Sequence, residues 1–298
     1  MDRSAALEVW RGCVNAWECD ELGHMNVRFY LAHAFDGLAR LAAALGQPHA
    51  FAAEANATLR VVRQHVRFLQ EARAGAPLYM TGGLVEMHED GAVALEVLHH
   101  VDGGPCAAVL SHLRHATPHG RAFPWPARAH EAVEELTVEV PDFAKPRNFT
   151  TQEPIDPQAA WNEALTSIAL APITKNDCDV FGYMTPDTVL ARVSDGMNYL
   201  TAPIYAAISE REPERRLNTA AVEYRIDHLE RPRTGDLVEV RSRVVGLAEK
   251  VVQVEHWLCD PIGRRAWARA VGVHANFDLD SRRAVAFPAE IRRQFPSI

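Results

Sequence analysis

The sequence predicts an α+β fold built twice in tandem, on three observations. The first is an internal repeat at a spacing of 159 residues. Residues 17–41 lie on 176–200 without a gap, and nine of 25 positions are identical, among them Cys19/Cys178, Asp20/Asp179, Gly23/Gly182, Met25/Met184 and Asp36/Asp195, where chance gives about one or two. The second is that each copy reads in the same order: a short apolar strand, a loop, an amphipathic helix, then four stretches of strand character. The third is the stretch 140–157 between the copies, where Pro141, Pro146, Pro154 and Pro157 stand among polar residues, the composition of a linker laid over a surface. A spacing this long exceeds the ~20–50 residues of solenoid repeats, so the repeated unit is a whole domain. The expected division is an N-terminal domain over 1–139, a linker over 140–160 and a C-terminal domain over 161–298.

In the first copy, 7–14 reads as the opening strand. From Val27 to Leu45 apolar residues recur at helical spacing (Val27, Tyr30, Leu31, Ala34, Leu38, Leu41, Leu45) until Gly46 and Pro48 end the helix. Strands follow at 58–68, 78–87, 92–101 and 106–116, separated by Gly75, by Glu89-Asp90-Gly91 and by Asp102-Gly103-Gly104, which suit antiparallel hairpins. The second copy repeats the plan, with a strand at 168–174, a helix over 186–207 and strands near 220–228, 237–246, 251–259 and 265–277. There Thr185 reads as the helix cap and Pro186 as its first residue. A five-stranded antiparallel sheet with one long helix after its first strand buries that helix's apolar stripe on one sheet face.

Composition excludes several classes. The chain has 298 residues, 48% of them apolar and 23% charged, the balance of a folded globular protein. Its net charge of −8, from 31 Lys and Arg against 39 Asp and Glu, disfavours nucleic acid and anionic membrane as partners, so an anionic ligand requires a local basic patch. No apolar run approaches a membrane span, and Met1-Asp2-Arg3 does not lead into an apolar core, so the expected location is the cytoplasm. The five cysteines are scattered without a C-x-x-C, which suggests neither a disulfide framework nor a zinc site.

The chemistry-bearing stretch is the loop Trp17-Glu18-Cys19-Asp20-Glu21-Leu22-Gly23-His24-Met25-Asn26 ahead of the first helix. It places a carboxylate, an imidazole and an amide beside a helix N-terminus, whose free N–H groups and positive dipole end polarise a carbonyl oxygen while a carboxylate activates water or attacks an acyl carbon. Asp20-x-x-Gly23-His24-Met25-Asn26 followed by Tyr30 resembles the signature of acyl-CoA thioesterases of the 4-hydroxybenzoyl-CoA thioesterase-like hotdog superfamily. The segment 65–75, from His65 to Gly75, is similar to the second strand and turn of those enzymes. The resemblance implies a double hotdog, two tandem five-stranded antiparallel sheets each wrapped around one long helix. It implies Asp20 as nucleophile or general base, His24 and Asn26 as its catalytic companions, Asp179 as a secondary site, and Gly23, Tyr30, His65 and Arg67 as substrate-contacting positions. It implies no cofactor beyond the coenzyme A carried by the substrate, with association of double-hotdog units as an option.

Each residue also has a structural reading. An acid before a helix complements the helix dipole or satisfies loop amides, and Asp20 recurs as Asp179. Asn26 aligns with Thr185, and both are good helix caps. His24 is Tyr183 in the second copy, so the fold does not require an imidazole there. Asp36 and Asp195 read as packing residues. His112, His115 and His119 have metal-like spacing, but residues three apart on a strand face opposite sides, so no metal is expected. Arg60, Arg63, Arg67 and Arg73 are candidate cations for coenzyme A phosphates. G-x-S-x-G, H-E-x-x-H, G-x-G-x-x-G and P-loop motifs are all missing. The function read here is hydrolysis of an acyl-CoA thioester, with a hotdog enoyl-CoA hydratase or dehydratase and a non-catalytic acyl-CoA-binding protein as the rivals.

Overall fold

The first helix forms where the pattern places it. In the computed structural model, which describes residues 6–147 and 154–298, α1 runs Val27–Ala44 and buries Leu31, Leu38 and Leu41 completely. It follows β1 (Leu7–Cys13) and precedes β2 (Thr58–Phe68), β3 (Pro77–Met87), β4 (Gly91–His100) and β5 (Pro105–Ala116), which pair antiparallel in the order β1-β3-β4-β5-β2. Leu38, Leu41 and Leu45 meet Leu59, Val61, Leu84, Ala94 and Leu113 on one sheet face. Each such leucine removed from water contributes roughly 1.5–3 kcal/mol.

The opposite face of β4 is also buried, which explains a strand with no alternation. Val93, Leu95 and Val97 of β4 with Ala108 and Leu110 of β5 are covered by Val138, Val140, Phe143 and Ala144. The first part of the expected linker is therefore packed against a sheet. The apolar residues among its prolines give it a surface to bind, and Arg67 anchors it by donating to the Asp142 and Lys145 carbonyls, both at 3.2 Å. Residues 148–153 of that linker and the N-terminal Met1-Asp2-Arg3 lie outside the described residues.

The second copy carries β6 (Thr166–Pro172), α3 (Thr188–Ser209), β7 (Leu217–His228), β8 (Leu237–Leu247), β9 (Val251–Asp260) and β10 (Arg265–Asp278), after α2 (Ala127–Leu136) of the first. The strands pair in the matching order β6-β8-β9-β10-β7, and short β11 (Arg283–Ala284) pairs with β10, so this half has six strands where five were expected. Strand ends fall within about three residues of those read from periodicity, the usual latitude of element boundaries. Helix α3 begins at Thr188, two residues after Pro186. Residues 185–187 form a turn closed by Thr188 N donating to the Thr185 carbonyl at 3.2 Å, with the two threonine hydroxyls 3.1 Å apart.

Two helices were not read from the sequence. Helix α2 starts after Pro126, with Trp125 and Ala129 buried in the first core. The short α4 (Ala289–Arg292) starts after Pro288, with Phe287 and Ile291 buried in the second. Trp125 N donates to Glu89 O and Phe287 N to Glu249 O, so the two helices are the same feature of the repeat, displaced in spacing by the added turn residues. The described residues fall into two units. One runs to Pro146 and takes in Cys178–Thr188; the other comprises Arg147–Asp177 and Val189–Ile298. The loop 178–188, expected with the C-terminal domain, thus belongs with the first unit.

Candidate active site

Asp20 closes a five-residue turn on itself. Its Oδ1 accepts from Leu22 N at 2.9 Å and His24 N at 3.2 Å, its own N donates to His24 O at 2.8 Å, and Gly23 N donates to Asp20 O at 3.0 Å. Gly23 sits at φ +78, the left-handed region that a side chain disfavours, so the turn needs glycine there. Asp179 repeats this geometry, with Oδ1 accepting from Phe181 N at 2.9 Å and Tyr183 N at 3.0 Å, and Gly182 also at φ +78. The aspartate therefore holds the loop in both copies. In the first it does so with one oxygen, and Oδ2 of half-buried Asp20 has no hydrogen-bond partner among the described residues.

The turn is laid along residues 71–73 by Met25 N donating to Ala72 O at 2.8 Å and by a bridge between His24 and Arg73. This places the buried His24 imidazole beside Glu71, Nε2 to Oε2 at 3.3 Å. Glu71 is a candidate site residue that the sequence reading did not single out; its signal lay in the 65–75 segment noted as similar to thioesterases. Asn26 caps α1, its Oδ1 accepting from Arg28 N at 3.0 Å and its carbonyl from Phe29 N at 2.9 Å. Of the first amides of the helix, that leaves the Val27 N–H as the one the cap does not take. Arg28 turns to Asp187, Nε to Oδ2 at 3.0 Å.

The substrate-contacting positions expected at Tyr30, His65 and Arg67 are packed inside the protein. Tyr30 is buried, its ring edge-on to Phe68 with centroids 5.2 Å apart. Burial first, and then Cys106, hold its phenol well above the ordinary value. Burial likewise pushes the Cys106 thiol up to about 12, and it donates to the Gln70 carbonyl, so it is no thiolate nucleophile. His65 is buried in β2, and Arg67 is spent on two carbonyls. His115 is buried, its Nε2 3.2 Å from Gln47 Oε1 and its ring stacked on Trp125. His119, exposed, reaches Tyr183 Oη at 3.4 Å. No group of three or more His, Cys, Asp or Glu side chains among the described residues is placed to hold a metal, and no described helix is long and apolar enough to cross a membrane.

A carboxylate with one anchored and one open oxygen, an imidazole beside a second carboxylate, and a helix amide are groups that can support acyl transfer. The family model described as "Thioesterase-like superfamily" matches residues 14–144 and 173–295. The chain belongs to that superfamily. Its fold is similar to that of an oleoyl thioesterase (putative) from Lactobacillus plantarum, at TM-score 0.66 and 12% identity, covering 90% of this chain and 95% of that one. It is also similar to the 12:0-ACP thioesterase from Umbellularia californica, at TM-score 0.65 and 11% identity over 91% and 94% of the two chains. An acyl-ACP thioesterase from Bacteroides thetaiotaomicron matches at TM-score 0.63 and 11% identity over 89% and 96%. No curated protein sequence matches the chain.

Proposed function

We propose that this superfamily member hydrolyses an acyl-CoA thioester to free acid and coenzyme A at the Asp20 turn. The observation that carries the reading is the open Oδ2 of Asp20, in the same loop as an imidazole paired with Glu71 and ahead of a helix amide that its cap leaves unclaimed. Oδ2 takes a proton from water, the hydroxide adds to the thioester carbon, and the oxygen that gains charge lies against the Val27 N–H. Collapse expels the thiolate, which recovers the proton from the Asp20 carboxyl, so atoms and charge balance. Direct attack by Oδ2 gives an anhydride that water then cleaves, and oxygen exchange from labelled water into Asp20 separates the two routes. Asn26 acts in this scheme by fixing the helix start, and His24 by orienting the water or carbonyl.

The structural relatives named for acyl-ACP substrates present the same thioester on a carrier protein, so the test uses both forms. Free thiol release is followed with short, branched, aromatic and betaine-like acyl-CoAs and with acyl-ACP, for the wild type and Asp20→Asn. Thiol release that Asp20→Asn abolishes supports the reading. Loss or appearance of enoyl absorbance instead points to a hydratase, and tight acyl-CoA binding without turnover to a binding protein.

A further inference from the structure

Three of the four arginines picked from the sequence as phosphate candidates have different fates. Arg67 is buried against carbonyls, and Arg73 is exposed in the turn after β2. Arg60 is the unusual one. It is half-buried, its Nε is sealed from solvent without an acceptor, and no carboxylate or carbonyl meets its guanidinium among the described residues. Arg114 stands directly across the β2–β5 ladder from it, and like charges so placed repel. Arg114 is answered by Asp90, with Nη1 at 2.7 and 2.6 Å from the two carboxylate oxygens. Arg60 has no such answer. Burial and then Arg114 push its pKa down, a direction that records an uncompensated cation.

Other donors converge on the same place. Gly120, at φ +95, lies so close that a Cβ there would stand 3.2 Å from Arg60 Nη1, so its bare backbone keeps the guanidinium open. The adjoining His119 ring reaches the buried Tyr183 hydroxyl at 3.4 Å, and Tyr183 is near enough to act electrostatically on Arg60. Guanidinium, phenol and imidazole thus share one spot, and among the described residues no carboxylate pairs with Arg60.

We propose that Arg60, Tyr183 and His119 form an anion site that takes a phosphate group of coenzyme A. The proposal deepens the acyl-CoA reading and rests on it. A guanidinium with no carboxylate partner, flanked by a phenol and an imidazole, suits the several acceptor oxygens of a phosphate. Arg60 is half-buried and Tyr183 buried while His119 and Arg114 are exposed, which suits a small phosphoryl group better than carboxylates held on the surface of a folded carrier protein.

The test is titration of the full chain with coenzyme A, with 3′-dephospho-coenzyme A, with pantetheine and with inorganic phosphate, for the wild type, Arg60→Gln and Tyr183→Phe. The expected result is that Arg60→Gln weakens coenzyme A binding by about tenfold or more, while pantetheine binding does not follow. Arg60→Gln also melts at a higher temperature than the wild type without ligand, because the facing arginines no longer repel, and it loses the melting shift that coenzyme A gives the wild type. Unchanged coenzyme A affinity in Arg60→Gln overturns the proposal, as does an equal loss for pantetheine. A variant that raises KM for acyl-ACP but not for acyl-CoA assigns the arginine to a carrier surface and also overturns it. Wild-type hydrolysis of acyl-pantetheine, which has no phosphate, is followed in parallel. If the wild type releases no thiol from acyl-CoA, acyl-ACP or acyl-pantetheine the thioesterase reading fails, while the binding titration still judges the phosphate site.

Discussion

The centres of the two sheets occupy matching positions and carry opposite chemistry. In the first half Glu96 on β4 pairs in register with Gly82; in the second, His256 on β9 pairs with Ser242. Glu96 is fully buried, with Ser111 Oγ 3.5 Å from Oε2 and nothing on Oε1, and burial holds its carboxyl well above the carboxylate range. His256 belongs to a closed chain: Ser242 Oγ at 2.7 Å from its Nδ1, Tyr224 Oη at 3.2 Å from its Nε2, and His274 Nε2 at 2.7 Å from the same hydroxyl. Burial brings His256 down to about 3 and His274 to about 4, with the neighbouring histidine a secondary cause for His256. His274 Nδ1 has no partner, and a buried bare lone pair costs less than a buried unused N–H. Tyr224, His256, His274 and Ser242 thus form one hydrogen-bonded relay in which the histidine tautomers set the donors. A second pair of positions shows the same divergence. Glu18 and His33 lie 3.5 Å apart where the second copy has Asp177 and Arg192 at 2.8 Å, so a pair that burial keeps uncharged on the histidine side corresponds to a permanent ion pair. Duplication preserved the backbone of the loops and let the buried charges diverge.

The largest effect expected from the contrast between halves is catalytic. Asp20→Asn should lower kcat/KM by about 10²- to 10⁴-fold, the scale of a lost acid–base group, whereas Asp179→Asn should leave most turnover intact. Steady-state kinetics on both folded variants decide it, and a dead Asp179→Asn beside a near-normal Asp20→Asn puts the reaction in the other copy.

Next in size, Tyr224→Phe strips one hydroxyl from two buried imidazoles and should destabilise the second half by about 2–4 kcal/mol, read by hydrogen exchange of β9 and β10 with β4 and β5 as the internal reference. Acid should then separate the halves in the wild type. The two histidines stay neutral when folded, so their contribution is whole above 6.5 and falls towards about 4 and 3 as the unfolded chain takes up protons. The slope is at most about 2.7 kcal/mol per pH unit. Glu96 runs the other way: its folded pKa lies above 4.5, so stability is whole below that value and is lost as pH rises towards the folded pKa. Glu96→Gln should therefore protect β4 and β5 at pH 8 and do nothing at pH 4, by up to about 1.4 kcal/mol per pH unit between. Equal protection at both pH values would mean the carboxyl is not what loosens the first half.

The smallest change expected is for Glu71→Gln. It keeps a hydrogen-bond acceptor for His24 but not the charge, and should cost about tenfold in kcat with an altered acid limb of the pH profile. A loss confined to KM would assign Glu71 to binding.

The strands, α1 and the tandem plan were legible because apolar periodicity and glycine turns report burial on one face, and both copies say so. Helix α2 had its signal in Ala129, Ala132, Val133 and Leu136, but two of these residues are alanines and the preceding Pro124-Trp125-Pro126 reads as a loop. The buried polar centres were invisible because their burial depends on which face of a strand a residue takes after a bulge, as at Val61/Arg63. In the candidate site, Asp20, His24 and Asn26 share one loop, so a local pattern names them together. Glu71 joins them through a bridge between segments far apart in the chain, a pairing that no local pattern encodes.

The ion pair between Arg28 and Asp187 joins residues 159 positions apart, the repeat spacing itself. Two unaltered copies carry the same residue at both places, and would set arginine against arginine or aspartate against aspartate. The opposite charges thus mark a step at which self-complementarity was given up for a matched pair of unlike partners. After that step, neither copy can stand in for the other: a molecule made of two first copies restores the repulsion, and one made of two second copies does the same with the sign reversed.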